Sequence, residues 1–456
     1  LTAPGVVILD RPDLLCPEGR FSDYMRIFDA LLPEMQFVVT LAPRNRRRFP
    51  RSLRRKRLAI PDAVRSPEKQ RQAPLPPNGS VLLIDVDGRL PNVALMKLSA
   101  HFKRRGQRVH LVRKEAFVSE PREVWASCVF HSAPSRRRVS RLTAHYGESL
   151  RIGGSGIDLK QRLPCEIEEL PADYTLYPEL GDRAIGFLTR GCPGSCAFCV
   201  VPAKEGSPRQ VADLDDLLQG RSRLILLDDN ILAHPKGAEL LEAMVRRDIE
   251  VNFNQTLDLR RIDTERAGLL RRIRCKDVRF KRSNYHFSLN DARGLASVRH
   301  AYEHLGFGAR DNVEFICMYG YNTTLADDVE RFRFLRSLPG AYVFTQRYQP
   351  FPGAPKPKLD NFFGEDADAL LDELVRIVFT QNMKSMEVYY RWVSREYARK
   401  FGRLHKGLVD TIFRYNNRHA KGRYLSTVAG TRPMDMRDPA RGCISAAEEW
   451  EAAPMR

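Results

Sequence analysis

Three thiols stand within eight residues of one another in R-G-C-P-G-S-C-A-F-C, residues 190–199: Cys192, Cys196 and Cys199. The chain has nine cysteines, and the other six, Cys16, Cys128, Cys165, Cys275, Cys317 and Cys443, are scattered. That is too sparse for a disulfide framework, so the cluster points to a metal or redox centre in a reducing compartment. Gly191, Pro193 and Gly194 suit a tight loop that turns thiolates toward one centre. Structural zinc normally takes four protein ligands, so zinc needs Cys165 or a distant histidine as well. A four-iron cluster takes one ligand per iron, so three cysteines leave one iron open to a small chelating molecule.

Further polar residues follow apolar runs that read as strands. Asp228 and Asp229 end LLDDN (226–230); Asn254 and Gln255 lie in NFNQTLDLR (252–260). Tyr319 closes VEFICMY (313–319), and Arg347 nearly closes AYVFTQRY (341–348). A carboxylate at Asp229, with Asp228 as the alternative, can accept charge-assisted hydrogen bonds. A helix-capping turn before Pro235 is the structural reading of the same carboxylates. His300 and His304 stand four apart on a helical stretch, but no glutamate-centred metal motif surrounds them, so they and His286 read as surface or packing residues.

The elements that would position these residues alternate between strand and helix. Strands are expected at 184–188, 224–229, 251–254, 278–280, 313–319 and 341–348. Helices are expected near 236–247, 264–273, 291–305 and 324–337. Such strand–helix units suggest a parallel barrel, whose chemistry lies at the carboxyl ends of its strands. The cysteine loop sits just beyond the first of them. An earlier alternating stretch has strands at 81–85, 109–112, 124–130 and 149–154, with a helix from Val93 to Phe102 ended by Gly106. Asp85, Asp87, Ser127 and Gly153-Gly154-Ser155-Gly156 fall at its strand ends, where open sheets hold ligands. PFPGAPKP (350–357) breaks regular structure, and an aromatic-rich helical region covers roughly 366–419.

The spacing of Cys192, Cys196 and Cys199, with Phe198 before the last cysteine, resembles the signature of the radical S-adenosylmethionine superfamily, over about residues 182–350. The resemblance implies a [4Fe-4S] cluster on the three cysteines and S-adenosylmethionine on the open iron. It also implies an electron donor such as flavodoxin or ferredoxin, and hydrogen abstraction from a small-molecule or peptide substrate. Asp229, Asp228, Asn254, Gln255, Phe198, Tyr319 and Arg347 are its candidate cofactor-binding residues. The layout, with LLID…LPNVALMKLSAHF (82–102) and RIGGSG (151–156), resembles members with an N-terminal cobalamin-binding-type domain. The usual Asp-x-His-x-x-Gly signature is missing: no histidine lies between 111 and 130, and His131 is followed by Ser132-Ala133-Pro134. Methylthiolating tRNA enzymes share the layout but carry three more clustered cysteines, whereas Cys16, Cys128 and Cys165 are widely spaced here.

The expected fold is therefore α/β. A variable basic region, 1–76, precedes a Rossmann-like parallel-sheet domain, 77–175. A radical-SAM-type (β/α)6 partial barrel, 176–358, and a mostly helical region, 359–456, follow. The net charge of +19 is concentrated at residues 44–57, which hold nine basic residues and no acidic one, and at Arg136, Arg137, Arg138 and Arg141. Such density attracts polyanions, and an RNA-modifying radical enzyme is the reading it supports. A cobalamin-dependent radical methyltransferase and a non-enzymatic zinc or iron–sulfur protein are also compatible with the residues. No apolar run approaches the length of a membrane span, and the start lacks a signal-peptide pattern, so the expected location is cytoplasmic.

Overall fold

A computed structural model describes residues 79–420 apart from 116, 119, 352, 353 and 380, and the strands Val6–Asp10 and Gln36–Thr40. For those two strands and residues 416–420 it describes the backbone alone. The basic run 44–57, most of the proline-rich stretch before Gly79, Cys16, Cys443 and the tail beyond 420 lie outside the described residues. The chain divides into two compact units, Leu1–Leu75 with Tyr390–Arg418, and Pro76–Tyr389 with His419–Arg456. In the first unit, β1 (Val6–Asp10) and β2 (Gln36–Thr40) pair in parallel, and the Tyr390 and Tyr415 rings lie 5.5 Å apart.

The second unit holds the elements around the cysteines. Its first sheet comprises β3 (Val81–Asp85), β4 (Val109–Arg113), β5 (Glu123–Ser127) and β6 (Leu150–Gly153). The order is β4-β3-β5-β6 and every pair is parallel. All five residues of β3 are buried, as a central parallel strand covered on both faces requires. Helix α1 (Val93–Arg104) begins where Asn92 Oδ1 accepts from Leu95 N at 3.2 Å, and it buries Leu95, Met96, Leu98 and Phe102. Helix α2 (Ala133–Tyr146) starts on the Ser132 cap and adds Leu142 to a core of Leu82, Ile84, Val124 and Ala126.

The next strands are β7 (Arg183–Gly186), β8 (Thr189–Arg190), β9 (Arg209–Gln210), β10 (Arg223–Leu226), β11 (Glu250–Phe253) and the two-residue β12 (Arg274–Cys275). Four of them form a second parallel sheet, ordered β12-β11-β10-β7. Between β7 and β10, β8 and β9 make a short antiparallel pair. A third sheet has β13 (Tyr285–Ser288), β14 (Val313–Tyr319) and β15 (Ala341–Arg347), again all parallel. Leu257 joins the second and third sheets: it bridges Phe287 in parallel and donates its N–H to His286 O at 2.8 Å. Just before it, Thr256 has φ 75°, a left-handed conformation that a β-branched residue rarely adopts. Helices α3 (Gly237–Arg246), α4 (Thr264–Arg272), α5 (Leu295–His304) and α6 (Leu325–Arg336) alternate with these strands.

The fourth expected strand is displaced. Residues 278–280 form a turn: Phe280 N donates to Asp277 O at 2.8 Å and has φ 58°, and Lys281 N donates to Asp277 Oδ1 at 2.8 Å. The strand is instead Tyr285–Ser288, whose residues alternate between buried and half-buried. Residues on one face of β13 and β14 (Tyr285, Phe287, Val313, Phe315, Cys317) are buried, while His286, Ser288, Glu314 and Ile316 on the other are half-buried. Among the described residues no helix is long and apolar enough to cross a membrane.

Candidate functional site

The cysteine loop leaves β8, runs from Gly191 to Val200 and enters the short helix Val201–Glu205. Gly191 fixes its start. Its φ is 89°, and a Cβ there would lie 2.5 Å from Ser207 O and 2.6 Å from Gly206 O, so any side chain forces the backbone to shift. Gly191 N donates to Asp229 Oδ2 at 2.9 Å, which ties the loop to the end of β10. Gly194 lies between two of the sulfurs: a Cβ there would be 3.3 Å from Cys192 Sγ and 3.9 Å from Cys196 Sγ.

Three N–H groups point at the sulfurs. Gly194 N donates to Cys192 Sγ at 3.4 Å, Val201 N to Cys199 Sγ at 3.4 Å, and Asn230 Nδ2 to Cys192 Sγ at 3.6 Å. Cys192 and Cys199 are half-buried and Cys196 is exposed. Burial pushes the Cys199 thiol up to about 11. It also raises Cys196, against the nearby Arg260 guanidinium. Metal binding at such sulfurs releases protons. Among the described residues no group of three or more His, Cys, Asp or Glu side chains is arranged to hold a metal ion.

The two aspartates after β10 have different surroundings. Both oxygens of Asp228 are engaged: Oδ1 accepts from Leu188 N at 2.7 Å, and Oδ2 accepts from Thr189 N at 2.8 Å and Thr189 Oγ1 at 2.7 Å. It clamps the β7–β8 turn, and burial pushes its carboxyl up to about 7 despite those bonds. Asp229 is half-buried beside the loop, its carboxyl raised by burial. The next residue, Asn230, was not singled out by sequence reasoning. Its Oδ1 is buried with no hydrogen-bond partner, while its Nδ2 faces Cys192. Only its adjacency to the two aspartates hinted at it.

The loop is held from two more sides. Phe198 packs on Met318, Tyr321 and Tyr348, and Tyr321 OH donates to Ala197 O at 3.2 Å. Arg190 places its guanidinium 4.1 Å above the Phe187 ring and pairs with Glu168 and Glu205, each at 3.3 Å. Glu168 also takes Lys97 of α1 at 3.3 Å, so this ion network links the first sheet's helix to the cysteine loop. Sequence reasoning missed Arg190 as well, because its partners Glu168 and Glu205 are distant in the chain.

Other candidates are placed less directly. Gln255 and Asp229 line one cavity. Asn254 Nδ2 donates to Asn252 Oδ1 at 3.4 Å. Tyr319 is buried with its ring 4.9 Å from Tyr389, and its carbonyl accepts from Tyr348 N at 2.8 Å. Arg347 is half-buried in register with Tyr319. His300 and His304 are not buried: the first is exposed and the second lies at the exposed end of α5. Cys128 is buried against Asp87 Oδ2 and Phe130 O, and Cys165 is exposed.

No family model matches the chain, and no curated protein does. Among solved structures it matches Streptococcus suis SuiB bound to S-adenosylmethionine, at 14% identity and TM-score 0.27, over 42% of this chain and 46% of that one. SuiB bound to the precursor peptide SuiA matches at the same 14% identity and TM-score 0.27, over 42% of this chain and 45% of that one. The match thus spans less than half of SuiB.

Proposed function

We propose that this chain is a radical S-adenosylmethionine enzyme, with one [4Fe-4S] cluster on Cys192, Cys196 and Cys199. The observation that carries the reading is the three-cysteine loop at the carboxyl end of β7, with Asp229 and the orphaned Asn230 Oδ1 beside it. Three thiolates from one short loop can each hold one iron of a cubane and leave the fourth iron open. N–H groups directed at Cys192 and Cys199 suit thiolates that stay charged on a metal. When bound, the cluster supplies the electron that cleaves the sulfonium of S-adenosylmethionine and starts hydrogen abstraction from substrate.

The protein's own contribution is placement. Asp229 and Asn230 Oδ1 are acceptors for the ammonium of the methionine moiety, and Asp228 keeps them in place by fixing the turn beneath. In this reading the second and third sheets make up the (β/α)6 partial barrel of 176–358, with the two-residue β12 as an extra short strand, and 77–175 is a separate wall. That wall does not suit cobalamin. Gly154 and Gly156 are filled by the backbone of Cys128 and Phe130, whose oxygens lie 2.3 Å from where a Cβ would stand. A reductant such as flavodoxin or ferredoxin is the proposed electron donor. The test is anaerobic reconstitution with iron and sulfide, followed by dithionite and S-adenosylmethionine. Release of 5'-deoxyadenosine is expected, and a fully loaded protein that releases none would refute the proposal.

A further inference from the structure

The order β4-β3-β5-β6 reverses direction between β3 and β5. In an open parallel sheet that reversal opens a crevice at the carboxyl ends, where ligands bind. A cavity of about 330 Å³ lies at that place, within the range of small-molecule sites. On the sheet side it is lined by Leu90, Leu95 and Leu98 after β3 and by Trp125 and Ser127 of β5. On the other side it is lined by Phe187, Leu227 and Asp229 at the β7 and β10 ends, and by Val200 and Val201 directly after Cys199.

The strand ends offer a phosphate no backbone cradle. The acidic side chains at the end of β3 close loops instead: Asp85 accepts from Gly88 N at 2.8 Å and Tyr177 OH at 2.9 Å, and Asp87 from Val129 N at 2.8 Å and Phe130 N at 3.1 Å. Gly154 and Gly156, after β6, are packed against the backbone of Cys128 and Phe130 and leave no cradle. Of the cations on the wall, Arg190 pairs with Glu168 and Glu205, Lys204 pairs with Glu205 at 3.4 Å, and Arg162 turns onto the carbonyls of Leu159 and Gln161. Arg151 stacks 4.9 Å over the Trp125 ring. The result is a mainly aliphatic and aromatic pocket that ends at the cysteine loop.

We propose that this cavity is the substrate pocket, and that the substrate is a compact molecule with a mainly apolar body rather than a nucleotide or a sugar phosphate. The assignment rests on the radical-enzyme reading for what happens in the pocket, but not for what binds there. The first sheet is then the substrate wall and the cysteine loop the reactive wall.

The test titrates the full-length, cluster-loaded protein with the neutral probe N-phenyl-1-naphthylamine. Saturable fluorescence enhancement with one site is expected. Ala94→Phe, which fills the cavity from the first turn of α1, should weaken the probe at least tenfold. Ala94→Leu should weaken it by less, and both should keep wild-type iron content and 5'-deoxyadenosine release without substrate. Excess ATP should not displace the probe. Two results would overturn the proposal: no saturable binding by wild type, or wild-type affinity in both folded variants. If the chain binds the probe but never releases 5'-deoxyadenosine, the pocket stands and the radical reading falls.

Discussion

Each of the three thiols has a distinct setting, and that makes their roles separable. Cys196 is the exposed one of the three. Cys196→Ala should abolish cluster loading, while Cys165→Ala, outside the loop and exposed, should leave iron content unchanged; iron assay and the visible absorption of the reconstituted proteins check both. Asp229 bonds the loop through one oxygen only. Asp229→Lys should weaken S-adenosylmethionine about 10- to 100-fold by equilibrium dialysis, the range for losing a charge-assisted hydrogen bond. Asp228 carries a different prediction. Its carboxyl is raised to about 7 in the fold against 3.8 for an ordinary aspartate. It therefore stabilises the fold fully below about pH 4 and loses that contribution as pH rises through about 7. Denaturation midpoints should fall over that window, and Asp228→Asn should flatten the slope. The three cysteines were legible in the sequence because their signal is local spacing. The division of labour between Asp228 and Asp229 was not, since it depends on the Leu188–Thr189 turn, far back in the chain.

At the level of elements, β8, the cysteine loop and β9 form one inserted unit between β7 and β10. It is closed where Gly191 meets the backbone of Gly206 and Ser207. Gly191→Ala combines a left-handed backbone with a backbone clash. Strain of about 1–3 kcal/mol is expected, together with loss of the Gly191–Asp229 bond; the protein should fold but retain well under half its iron. Strands with long apolar runs, such as β3, β10, β14 and β15, were readable because both faces or one whole face are buried. The fourth strand of the second alternating stretch was not. Val278-Arg279-Phe280 alternates as a strand would, yet Asp277 folds it into a turn. Tyr285–Ser288, with His286 and Ser288 on its half-buried face, has a weaker apolar signal.

Across the second unit, the strand ends are fixed from outside by a fully buried ion pair. Arg331 donates to Leu289 O at 2.9 Å and to Met318 O at 3.1 Å, and it pairs with Asp328. Tyr389 OH donates to Asp328 Oδ2 at 2.7 Å. Arg331→Ala would leave a buried carboxylate uncompensated and should cost about 3–5 kcal/mol. Urea denaturation checks this, and an unchanged midpoint would contradict it. Nothing in the sequence marks Arg331 among so many arginines; only tertiary packing sets it apart.

The central claim is a cubane with one iron that its three sulfurs leave free. Mössbauer spectroscopy of the 57Fe-reconstituted protein, with and without S-adenosylmethionine, addresses it most directly. A [4Fe-4S] cubane is expected in each chain, with one iron site whose spectrum changes when S-adenosylmethionine is added. A cubane whose irons all stay unchanged, or a protein that takes up zinc and no cluster, would contradict it.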